Sequence, residues 1–97
     1  MTFEEFRRSI DEGVPPDNLG AALLGLWHQG RGAWETAHET VQADDGAPAA
    51  WVHAHLHRFE GDEMNAGYWF RRAGKPHTKG DLDEEWTAMV AALLDMS

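Results

Sequence analysis

Cysteine is absent from this 97-residue sequence, which excludes disulfides and thiolate metal ligands together. A small domain without either staple must hold itself by packing alone. Basic residues are scarce: eight Lys and Arg stand against seventeen Asp and Glu, a formal charge of −9. That balance argues against nucleic acid, whose binding needs clustered Lys and Arg to displace counterions. It also argues against anionic membrane surfaces. No apolar run approaches the ~20 residues of a membrane span. The opening stretch, MTFEEFRRSIDEG, lacks the basic start and apolar run of a secretory signal, so a bacterial cytoplasm is the expected location. Ser9 and Ser97 are the only serines, and no Gly-rich phosphate loop is present. With no nucleophile to assign, the sequence argues against an enzyme.

What is there is apolar and aromatic. Forty-two per cent of the residues are apolar and five are Trp, so the chain is globular rather than disordered. Each indole can bury roughly 150–250 Å². The length sets one domain with one modest core.

The periodicity predicts about six helices and no strand. Thr2 with Glu5 forms a capping box for a helix over 2–12 carrying Phe3, Phe6 and Ile10, stopped by Gly13 and Pro15-Pro16. Asp17 or Asn18 should cap a second helix to Gln29, with Leu19, Ala22, Leu23, Leu26 and Trp27 on its apolar stripe. Gly25 within it suggests close approach of another helix. A third helix over 33–43 carries Trp34, Ala37 and Val41; Asp44 or Asp45 is then a candidate cap for the next helix. Pro48 opens that fourth helix, which runs to about Glu60, with Val52, Leu56 and Phe59 on one face and His53, His57 and Glu60 on another. Asp62 caps a fifth helix over 63–73, and Asp81 a last one whose stripe runs from Leu82 to Leu94.

The first helical pair maps onto the second at an offset of 29 residues: Gly25 on Ala54, His28 on His57, Gly32 on Gly61, Ala37 on Ala66, Val41 on Phe70. One hairpin cannot bury its own face, so such units stack. The order Ala54, Gly61, Ala66, Phe70, Ala73 resembles the tetratricopeptide repeat, although the period is shorter than the usual ~34 residues and Asp44 stands where a small residue is expected. The resemblance implies an all-α, tetratricopeptide-like fold. Hairpins would span about 18–43 and 48–74, and the helices over 2–12 and 81–95 would cap the stack. The central stretch is also similar to a small family of uncharacterised bacterial proteins with a WVHAxLHRxEGDxxNAxYWxRRAG-type core after a W-x-x-AH segment. Here these are Trp51 to His57-Arg58, Glu60-Gly61-Asp62, Asn65-Ala66, Tyr68-Trp69, Arg71 to Gly74, and Trp34 with Ala37-His38. Gly67 and Phe70 stand where larger or tyrosyl residues are expected. That resemblance supports the helical fold and implies no mechanism.

The sequence supports two functional readings. In the leading one the chain is a small binding module. Its surface is centred on His53, His57, Arg58, Glu60, Asn65, Tyr68 and Arg72, whose donors and aromatic faces suit a protein partner or a small anionic ligand. Internal pairing of Arg58 or Arg72 with Glu60 or Asp62 would close that surface. The stripe Leu82–Leu94 would cap the stack or form a homodimer face. In the alternative, His38, His53, His57 and Glu60 bind Zn or Fe, as a metal-binding protein or a small metal-dependent enzyme. His53 and His57 at i, i+4 share a helical face, and Glu35-x-x-His38 has the spacing of di-iron bundles. That Glu-x-x-His segment occurs once, which excludes the paired di-iron arrangement. His28 and Glu39 are further candidate ligands, and convergence of the helices decides the matter.

Overall fold

The computed structural model describes residues 1–96. Among them are six helices and no strand: α1 (Phe3–Glu12), α2 (Ala21–Gly30), α3 (Trp34–Gln42), α4 (Ala47–Phe59), α5 (Glu63–Ala73) and α6 (Leu82–Asp95). The caps follow from local chemistry. Glu5 N donates to Thr2 Oγ1 at 3.1 Å while Thr2 N donates to Glu5 Oε1 at 2.8 Å, completing the capping box. Asp62 accepts from Asn65 N at 3.1 Å and from Asn65 Nδ2 at 2.7 Å, fixing the start of α5. Asp81 accepts from Glu84 N at 2.9 Å at the start of α6.

Two boundaries differ from the expectation. Neither Asp17 nor Asn18 caps α2; Gly20 does. Asn18 has φ 64°, a left-handed conformation that Asn tolerates and a helix cannot contain. Leu19 therefore packs on the core from outside the helix. At the start of α4 the N-cap is Gly46, not an aspartate. Asp44 Oδ1 instead accepts from Gly46 N at 2.7 Å, a local turn that ends one hairpin and launches the next.

α4 is the central element. It packs most extensively against α5, and also against α2, α3 and α6, while α2 pairs with α3. Small residues on several sides make this position tenable: Ala49, Ala50 and Ala54 are all buried. α6 lies across α4, α2 and α1. The main core joins Phe6, Leu26, Trp27, Val41, Val52, Leu56, Met89 and Val90; Ala54, Ala66 and Phe70 form a second cluster inside the α4–α5 hairpin. Gly25 marks the closest crossing: a Cβ there would lie 2.6 Å from Val41 Cγ1 and 3.4 Å from Val52 Cγ1. Phe59, expected on the buried face of α4, is 54% exposed. It falls in the last turn, at the rim of a cavity, and the inward place is taken by His55, which is 0% exposed.

Candidate metal centre

α3 and α4 come from different hairpins, and their contact brings three imidazoles together. His38 projects from α3, and His53 and His57 lie one helical turn apart on α4. One ring nitrogen from each lies within 4.8 Å of the others, and the Nε2 atoms of His38 and His53 are 3.0 Å apart. Tetrahedral ligation at ~2.0–2.1 Å places donor nitrogens about 3.3 Å apart. The His38–His53 separation of 3.0 Å is close to that value, and the third nitrogen lies within 4.8 Å of both.

The surroundings orient the three rings, of which His53 and His57 are buried and His38 is half-buried. His57 Nδ1 donates to Glu60 Oε2 at 2.7 Å, which leaves Nε2 as the lone-pair donor, in the manner of carboxylate-oriented metal histidines. The Trp34 indole stacks on His38 with ring centroids 4.9 Å apart, and Trp34 Nε1 donates to Leu56 O at 2.8 Å, locking the indole in place. Trp69 stacks on His53 at 3.9 Å. Burial, reinforced by the neighbouring His38 and His57, pushes the His53 pKa down to about 4. Burial and His57 also lower that of His38. Both rings are therefore neutral at pH 7, the protonation state that ligates metal.

The other sequence-singled residues divide. Glu60 and Asp62 form a second donor group with His57, but both Asp62 oxygens are engaged by the α5 cap, and hydrogen bonds from Asn65 hold its carboxyl below the usual range. Arg58 is internal and pairs with neither Glu60 nor Asp62. Its Nη2 donates to Gly80 O at 2.8 Å, and Nη1 lies 3.1 Å from Glu85 Oε1, an ion pair outside hydrogen-bond alignment. Its Nε is 3.8 Å from Glu63. Arg72 donates to Tyr68 Oη at 3.3 Å and lies 5.2 Å over Trp69. Tyr68 is 44% exposed. Glu35, Glu39 and His28 are outside the donor set, and His28 packs edge-on against Trp27. Of the walls of the cluster, Trp34 was legible only as a core residue, and Trp69 as either core or an open aromatic platform beside Tyr68. His55, Gln29 and Glu85 carried no signal beyond their residue type.

Fold and site together define an all-α protein with a three-imidazole cluster at the crossing of two helical hairpins. A scan against protein-family models gave no match, and searches of curated proteins and of solved structures gave none either.

Proposed function

We propose that this protein is a metal-binding helical module, with His38, His53 and His57 as ligands of one divalent transition ion and Glu60 as the group that orients His57. The observation that carries the proposal is the convergence of three ring nitrogens within 4.8 Å from two separate helices. Neutral imidazoles without thiolates suit zinc, iron, copper or nickel, and zinc fits the three-histidine geometry directly. Three protein ligands leave a fourth position for water or a small anion. In this reading the hairpins form a tetratricopeptide-like stack in a bacterial cytoplasm, and the stack serves to bring α3 against α4. The metal reading is preferred to a partner-binding surface over the same residues because Arg58 is committed to Glu85 and Gly80, and Asn65 to the α5 cap.

Competition against a chromogenic chelator tests it. Untagged protein should take one Zn²⁺ per chain. His57→Ala should weaken binding by more than about 100-fold, and Glu60→Gln by about 10–100-fold, the usual effect of losing an outer partner. Equal affinity in wild type and His57→Ala would contradict the assignment.

A further inference from the structure

The net charge of −9 is unevenly placed. From Met64 to Gly80 the chain carries four of its eight basic residues and none of its seventeen acids. The first part of this stretch belongs to α5, which packs against α4 and no other helix, whereas α3, its counterpart in the first hairpin, is flanked by both α2 and α4. α6 lies on α4, α2 and α1 and does not pack on α5. Ala66 and Phe70 point into the hairpin core, so Met64, Tyr68 and Arg71, at i, i+4 and i+7, line the outward face. Met64 is 87% exposed and Tyr68 44%, an apolar start to a face that ends in cations. Arg71, Arg72 and Lys75 are all exposed, and none of them is ion-paired among the described residues. No acid stands three or four residues from any of the three. The other exposed cations have local partners. Arg7 and Arg8 share α1 with Glu4, Asp11 and Glu12 at such spacings. Arg31 donates to Ile10 O at 2.8 Å, and Lys79 lies 3.7 Å from Glu63.

Two of the three unpaired cations are held in place. Arg72 donates to Tyr68 Oη and lies over Trp69, and Lys75 Nζ lies 4.5 Å from the centroid of the Trp51 ring. Side chains that are ordered beforehand lose less freedom when a partner arrives. We propose that the outward face of α5 docks a short acidic peptide segment of a partner protein. An apolar side chain of that segment rests on Met64 and Tyr68, and its carboxylates pair with Arg71, Arg72 and Lys75. From Met64 to Lys75 the patch spans only about 16 Å along the helix. A nucleic acid or an anionic bilayer would extend past it over the surrounding acids and be repelled, whereas a short segment stays within it. None of these residues is a ligand of the metal centre, so the two readings stand or fall separately.

Fluorescence anisotropy of a fluorescein-labelled Leu-Glu-Glu repeat peptide, titrated with the full chain, tests the proposal. EDTA is present so that the peptide's carboxylates cannot coordinate a metal at the imidazole cluster. The Leu-Glu-Glu peptide should bind about tenfold more tightly than its neutral Leu-Gln-Gln counterpart, although net charge alone predicts the reverse order, and added salt should weaken it. Arg71→Gln with Arg72→Gln should weaken it at least fivefold, with helicity unchanged by circular dichroism. Lys75→Gln should give a smaller loss and keeps the test open if the double variant fails to fold. Arg7→Gln with Arg8→Gln removes the same charge from α1 and should leave binding unchanged. No binding of the acidic peptide to wild type, no preference over the neutral one, or an equal loss in the α1 variant would overturn the proposal. So would tighter binding of oligothymidylate or of phosphatidylserine vesicles through Arg71 and Arg72, or a dimer in sedimentation that the α5 substitutions dissolve, since each would give the face to another occupant.

Discussion

At the residue scale, His53 shows what burying an imidazole among other imidazoles does to its protonation. Its imidazole is 3% exposed, is stacked on Trp69, and faces two other histidines. Its pKa falls from 6.5 to about 4 on folding. Between those values the unfolded chain binds the proton that the folded chain refuses, so stability rises with pH across this window and is lost as pH falls from 6.5 towards 4. The lowered His38 acts in the same direction. Glu5 and Asp62 are held below their ordinary values of 4.5 and 3.8, so their contributions are lost lower on the pH scale. Urea unfolding of metal-free protein should therefore show a fall in midpoint between pH 6.5 and 4.5 that His53→Gln largely removes; a flat profile in wild type would contradict the burial of this ring. The sequence made part of this legible. His53 and His57 at i, i+4 must share a face, but His38 joins them only through a helix crossing that spacing along the chain does not encode.

At the element scale, the Gly pattern separates packing from propensity. Gly25 and Gly67 are both helical, and Ala is the better helix former by about 1 kcal/mol. At Gly25 the added methyl would meet Val41 at 2.6 Å, and overpacking of that kind costs about 1–3 kcal/mol. At Gly67 the nearest atom is His77 Nδ1 at 3.4 Å, ordinary contact. Gly25→Ala should lower the thermal midpoint, while Gly67→Ala should leave it unchanged or raise it, as read by circular dichroism on the two purified variants. The close approach at Gly25 was legible because a glycine inside an apolar stripe needs a neighbour to explain it. Helix identity and the Thr2, Asp62 and Asp81 caps were legible for the same local reason. The start of α2 was not: Asp17 and Asn18 are good caps, yet the left-handed turn at Asn18 delays the helix to Ala21. Nor was the exposure of Phe59, since a helix packed on several sides buries small and polar residues as readily as large ones, and periodicity then stops distinguishing its faces.

At the scale of the whole molecule, the imidazole cluster sits where a stabilising link has the most to join. One imidazole comes from the second helix of the first hairpin and two from the first helix of the second hairpin. A bound ion would tie together two units that otherwise meet by packing and a few side-chain hydrogen bonds, in a chain with no cysteine. Ligand binding to the folded state alone adds stability by mass action, about 2.7 kcal/mol at 100 times Kd. The central claim is that these three histidines form one metal site, and native mass spectrometry of untagged protein with added Zn²⁺ tests it most directly. The account predicts one ion per wild-type chain and none on a chain carrying His38→Ala and His57→Ala together. A wild-type chain that stays metal-free, or a doubly substituted chain that still takes one ion, would contradict it.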